Sequence, residues 1–233
     1  MEFMHAPTIW EQFPTLVPGV MLVELVDGRA PAAADAAPLA PLLERARSRL
    51  AATQESDLPE IAAWRRAFAQ MGMKPTQYRS AAEALLRRFR KEDALPTLHP
   101  LVDLCNAVSL AYALPIAAID IDRVAERIEV CHADGDEDYL AFSGEHERPE
   151  PGEVIFADAL RQVHARRWTF RQSLRSAVGP ATRRALIVSE GLHAGAADAV
   201  PQLIAELGAG CNAIGWRASH ATILTAAQPR WAA

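Results

Sequence analysis

Along the chain the spacing of apolar positions changes from helical to strand-like near residue 115, so helices are expected mainly before that point and strands after it. Residues 15–26 (TLVPGVMLVELV) are the early exception, a near-continuous apolar run closed by Asp27-Gly28, the pattern of a buried strand ending in a turn. Residues 29–41, rich in Ala and Pro, read as a linker or loop. Two helical patterns follow at residues 42–52 and 58–71. In the second, Ile61, Trp64, Ala67 or Phe68, and Met71 recur on one face. The first 70 residues thus read as one strand followed by helices. Gly72-Met73-Lys74-Pro75 stops the pattern, because Gly and Pro both oppose helix continuation. Ser80, with Glu83 three residues on, then predicts the capped start of a helix whose apolar face is Ala82, Leu85, Leu86 and Phe89.

Residues 101–113 form a helix that is apolar almost all round. Only Asp103, Asn106 and Ser109 interrupt it, three residues apart, as one narrow polar stripe. Polar groups on a buried rod need partners, so the stripe either ties down neighbouring loops or faces a ligand. Past Pro115 the chain predicts strands at 116–121, 127–131, 139–142, 153–156, 184–189 and 212–217, separated by turns such as Asp134-Gly135, Ser143-Gly144 and Pro151-Gly152. A helix at 196–207 lies between the last two. Helices first and strands later, without strict alternation, indicate an α+β fold.

With 233 residues, half of them hydrophobic, the chain can bury the core of one large domain. Its net charge of −5 opposes indiscriminate coating of nucleic acid, so no DNA partner is expected; a local basic patch stays possible. Two such concentrations exist. Arg87, Arg88, Arg90 and Lys91 crowd one helix end, where they suit either the helix dipole or phosphate. Arg161, His164, Arg166, Arg167, Arg171 and Arg175 interleave with Trp168 and Phe170, followed by Arg183-Arg184. That mixture suits phosphate contact plus stacking on an unpaired base, or equally a strand edge paired with Glu153, Asp158 or Glu190. Cys105, Cys131 and Cys211 show no zinc spacing, and the acidic turn at 132–138 lacks the order of an EF-hand, so no metal is expected. Phosphate-loop, dinucleotide, zinc-protease and serine-hydrolase signatures are absent, and no cofactor is called for. No leader-like or membrane-length apolar segment is seen, which predicts a soluble cytoplasmic protein without a membrane partner.

One set of motifs sharpens this. It comprises Gly72-Met73-Lys74-Pro75, Tyr78-Arg79-Ser80, Leu85-Leu86-Arg87-Arg88, the run Leu101-Val102-Asp103-Leu104-Cys105-Asn106-Ala107-Val108-Ser109, Leu114-Pro115 with Asp120, Gly152-Glu153 to Asp158, and Arg166-Arg167-Trp168 with Arg171-Gln172. In this order the chain resembles the B3/4 domain family, built around the editing module of the phenylalanyl-tRNA synthetase β subunit. The resemblance covers residues 72–191 of a single 1–233 domain, with 1–71 as an N-terminal strand and helical part and 192–233 as a C-terminal helix and strand.

The resemblance implies a three-layer α+β fold with an unusual β-sandwich core and flanking helices, and hydrolysis of tRNA that carries the wrong amino acid, here in trans. It implies that Asn106 lies at the amino-acid pocket and that the stretch from Arg167-Trp168 to Gln172 occupies the place of a glycine-rich loop. Where the family pattern has a pocket histidine, this chain has Ala117, so tyrosine is not carried over as substrate. On this reading Asn106 and Glu190 act in catalysis, with Glu153 an alternative to Glu190 for the amino group. Asp103, Ser109, Ala117, Trp168 and Gln172 contact substrate, and Arg79, Arg87, Arg88, Arg167 and Arg171 contact tRNA. The alternatives are a non-catalytic module binding tRNA or an amino acid, and a small-molecule hydrolase. Which amino acid, which tRNA and which oligomeric state are left open.

Overall fold

The computed structural model describes residues 1–26 and 39–233. The expected turn at Asp27-Gly28 and residues 29–38 of the expected linker lie outside the described residues. Ala40 and Pro41, placed in that linker, already open a helix. The elements are β1 (Glu2–His5), α1 (Pro7–Gln12), β2 (Val17–Leu25), α2 (Ala40–Ala52), α3 (Pro59–Gln70), α4 (Ala81–Glu92), α5 (Pro100–Tyr112), β3 (Ile116–Asp120), β4 (Arg127–His132), β5 (Asp138–Leu140), β6 (His146–Glu147), β7 (Val154–Asp158), β8 (Gln162–Arg166), β9 (Arg171–Gln172), β10 (Arg184–Gly191), α6 (Ala196–Ala213), β11 (Trp216–Ile223) and β12 (Arg230–Ala232).

The strands form two sheets in an α+β arrangement. A large mixed sheet runs β12-β1-β4-β7-β8-β5-β6, with β9 added to β8; a smaller antiparallel sheet runs β11-β2-β10-β3. The two-residue period of β2 and β10 explains how they join into layers. Val20, Leu22, Leu186 and Val188 point toward the large sheet, where Phe3, Ile128, Val130, Val154 and Phe156 meet them in one core. Met21, Val23, Ala185 and Ile187 point the other way, onto Leu104, Val108, Val200, Leu203 and Ile204 of α5 and α6. Burial on both faces is why residues 15–26 read as a continuous apolar run. A further cluster joins α2, α4 and α5 through Ala46, Leu50, Leu86, Phe89 and Leu110.

The Ser80 cap forms as expected, its hydroxyl accepting from Glu83 N at 3.3 Å. The Glu83 carboxylate does not return to the cap and binds Arg65 at 2.7 Å instead. Two expectations are corrected. The first 70 residues hold more than one strand and helices, because β1 and α1 precede β2. β1 is too short to show a period, and its place is set by pairing parallel to β4 and antiparallel to β12. The strand expected at 212–217 begins at Trp216, because α6 continues to Ala213 past Gly208 and Gly210. Gly210 is a packing residue here: a Cβ would lie 2.8 Å from Leu104 Cδ1.

Candidate functional site

The two sheets part at one end, where the start of β3 and the end of β10 face β7 and β8. The gap is a cavity of about 70 Å³ lined by Ile116, Ala117, Val188 and Glu190 from the small sheet and by Phe156 and Ala165 from the large one. The segment Trp168 to Gln172 and Ala81, the first residue of α4, close its rim. Ala81 N donates to Thr169 O at 2.7 Å, which fixes the helix start on that segment.

Glu190 supplies a buried carboxylate to the lining. It is 2% exposed, and its oxygens accept from Trp168 Nε1 at 2.9 Å and pair with His5 Nε2 at 2.6 Å. His5 comes from β1, so the N-terminal strand contributes to the site. Trp168 is held edge-on by Phe13 and Trp64 and by its own amide, which donates to Val154 O at 2.7 Å. Arg167 and Trp168 both adopt left-handed backbone, φ 48° and 58°. Such a conformation costs non-glycine residues about 1 kcal/mol or more each, so the surrounding bonds must enforce it. Thr169 Oγ1 is buried at this cavity without a hydrogen-bond partner among the described residues.

Ile116 and Gln172 line the cavity and also a second, wider basin of about 310 Å³. Gln172 Nε2 donates to Ala118 O at 2.6 Å, and its backbone carbonyl accepts from Tyr139 Oη at 2.9 Å, so this divider is anchored on both sheets. The polar stripe of α5 separates here into two roles. Asp103 accepts from Leu98 N at 2.9 Å and Ser109 donates to Leu114 O at 2.6 Å; both are buried ties within their own neighbourhood. Asn106 faces the basin, half-buried, with no side-chain partner among the described residues. His99 lines the same basin and caps α5, its Nδ1 accepting from Leu101 N at 3.2 Å. Burial pushes its pKa below the ordinary imidazole value, against the pull of Asp103, so the neutral ring carries its proton on Nε2.

The arginines divide as well. Arg171 lines the cavity mouth, half-exposed, with Glu147 at 3.6 Å. Arg167 lies 4.6 Å over the Tyr78 ring and 3.8 Å from Glu153. Arg79 donates to Thr76 O at 2.7 Å beside this rim. Arg87 and Arg88 line neither space. They pair with carboxylates of the helical layer, Arg87 with Glu55 at 3.6 Å and Arg88 with Glu92 at 2.8 Å. Glu153 is engaged by Arg166 at two 2.9 Å contacts and by Arg167 N at 3.0 Å. Burial would raise its carboxyl pKa, but the Arg166 pairing outweighs that and holds it below the ordinary value.

Elsewhere, Asp134, Asp136 and Glu137 come close enough to hold a cation, yet Arg161 Nη2 pairs with all three. Burial pushes the Cys131 and Cys211 thiols up to about 12 and that of Cys105 well above its ordinary value, which removes them as nucleophiles at neutral pH. His5, His99 and Thr169 carried no sequence signal. His5 and Glu190 are 185 positions apart, and only the pairing of β1 with the large sheet brings them together.

A family model described as B3/4 domain matches residues 63–199, more than half of the chain. No curated protein matches it. Among solved structures, an N-terminal fragment of the phenylalanyl-tRNA synthetase β-subunit from Pyrococcus horikoshii is similar, with a TM-score of 0.49 and 10% identity over 93% of this chain. The match spans 49% of that fragment, so this chain corresponds to about half its length.

Proposed function

Because this chain belongs to the B3/4 domain family, we propose that it is a trans-acting hydrolase that deacylates mischarged aminoacyl-tRNA. The observation that carries the reading is the pair of neighbouring spaces. A small cavity with a fixed carboxylate at Glu190 lies across Gln172 from a basin that presents the Asn106 amide. An aminoacyl ester is already activated, so its hydrolysis needs a held water and a donor for the developing oxyanion more than it needs a nucleophile.

In this reading the amino-acid side chain enters between Ala117, Val188 and Phe156. Glu190 attracts the α-ammonium, each carboxylate oxygen keeping a free lone pair beyond its existing bond. Asn106 and the Thr169 hydroxyl hold the water and the ester carbonyl, and Arg171 at the mouth meets the terminal phosphate. Ala117 leaves space where a bulkier residue would fill the cavity. Asp103 and Ser109 act by holding α5 in place.

One observation favours a second reading, a non-catalytic module that binds tRNA or an amino acid. No nucleophile paired with a base lines either space among the described residues. A panel of charged tRNAs incubated with wild type, Asn106→Ala and Arg171→Ala separates the two. The hydrolase reading expects at least one member to be deacylated above the blank. Asn106→Ala should slow that reaction roughly 100-fold, the cost of one oxyanion donor. Arg171→Ala should act mainly on KM and weaken its salt dependence. If no member is deacylated, the hydrolase reading fails, and binding that survives supports the module. Turnover that does not respond to salt would favour a small-molecule substrate instead.

A further inference from the structure

We infer that the two adjoining basins beside the candidate cavity form a trough that receives a single-stranded RNA 3′ end, with Phe142 stacking a base and Arg123 meeting phosphate. The inference rests on the tRNA reading above and adds the path by which the nucleic acid arrives. The basin that holds Asn106 shares Ala177, Gly179 and Pro180 with a third space of about 490 Å³, so the two lie side by side along that segment. Its far end is built by two 3-10 turns, Ile121–Arg123 and Leu174–Ser176, that pack against each other.

Three features of this trough point to unpaired nucleic acid. Large apolar side chains that stand in solvent concentrate here: Phe142 is 65% exposed and Leu98 66% at the middle basin, and Leu174 is 40% at the far one. An exposed aromatic ring beside a groove offers a face to any unstacked base. The far basin then carries positive charge that is not spent. Arg123 is exposed and has no carboxylate at ion-pair distance among the described residues, whereas Arg175 is already paired with Asp138. The acid in the same basin, Asp120, is already engaged by Thr182 Oγ1 at 2.8 Å and Asp122 N at 3.1 Å. Stacking surface followed by the Arg123 guanidinium is the order in which a base and its phosphate would be met.

The test is a fluorescence-anisotropy titration of a labelled single-stranded RNA ending in CCA, repeated over a salt series. The proteins are wild type, Arg123→Gln, Phe142→Ala, Phe142→Tyr and Arg230→Gln. Arg230 is exposed on β12, at the opposite edge of the large sheet from β5 and β6, and controls for net charge. One lost phosphate contact on a single strand lowers the slope of log K against log salt by about 0.7, which at 0.1 M salt is about fivefold in affinity. Arg123→Gln should show both effects and Arg230→Gln neither. Phe142→Ala should weaken binding at least about fivefold, and Phe142→Tyr should restore it.

The inference is overturned if wild type shows no saturable binding, or if Arg123→Gln matches Arg230→Gln while Phe142→Ala binds like wild type. The same variants in the tRNA panel separate this failure from that of the hydrolase reading. RNA binding lost in these variants with no tRNA deacylated sinks the hydrolase and keeps the trough. Deacylation whose KM ignores both substitutions does the reverse.

Discussion

With Glu190 at 2% exposure and both of its oxygens bonded, to His5 and to Trp168, the charged end of the site is assembled before any ligand arrives. Removing the carboxylate strands two buried partners, one of which, His5, already has a buried Nδ1 without a bond. Glu190→Ala should therefore lower stability by about 3 kcal/mol, read as a fall in the urea midpoint at unchanged slope. Glu190→Gln should cost about 1 kcal/mol, since its amide oxygen can accept from Trp168 while its NH₂ donates to a His5 tautomer protonated on Nδ1. Equal midpoints for the two variants would show that these bonds do not hold the site. Little of this was readable in the sequence. Asn106 was singled out by its place in a polar stripe, but the stripe could not say that Asp103 and Ser109 turn inward to backbone partners. His5 gave no sign at all.

At the scale of elements, what could be read depended on length and period. α3, α4 and α5 are long enough for their apolar faces to repeat, and their expected bounds lie within two residues of those observed. β1, β12 and β9, of four residues or fewer, are defined by their neighbours and showed no pattern. The misplaced end of α6 has a different cause. Gly208 and Gly210 look like breakers, but the helix runs through both, and at Gly210 α5 approaches closely. At Gly210 a methyl group would press on Leu104 at 2.8 Å, so Gly210→Ala should destabilise by about 1–3 kcal/mol despite its better helix propensity. A thermal melt checks the sign. A rise in Tm would mean that α6 and α5 have room to separate and that the glycine serves the helix end instead.

On the scale of the whole molecule, no described helix is long and apolar enough to cross a membrane, and partly buried titratable groups in both layers make stability depend on pH. His99 and His193 have folded pKa values lowered by burial. Each contributes stability that is present above its unfolded pKa and is lost as pH falls through the folded one. Glu153 and Asp158 behave alike at lower pH: burial opposes ionisation, but Arg166 for Glu153, and His164 with the amides of Ala125 and Gln162 for Asp158, hold both below the ordinary carboxyl value. Glu83 works the other way, since burial raises its pKa and protonation relieves it as pH falls. Stability should accordingly begin to decline below about pH 6.5 and fall further below about pH 4.5, where the carboxylates start to titrate in the unfolded chain. Glu153→Gln isolates the second stage. It removes the bidentate carboxylate from Arg166, 4% exposed, but leaves Glu147 on its Nη1 at 2.6 Å, so stability at neutral pH should drop by about 1–3 kcal/mol. The acid limb should become shallower in the same variant, because one depressed carboxyl no longer titrates. Urea midpoints measured from pH 3 to 8 on both proteins decide it: parallel acid limbs would mean that the Glu153–Arg166 pair does not link proton binding to folding.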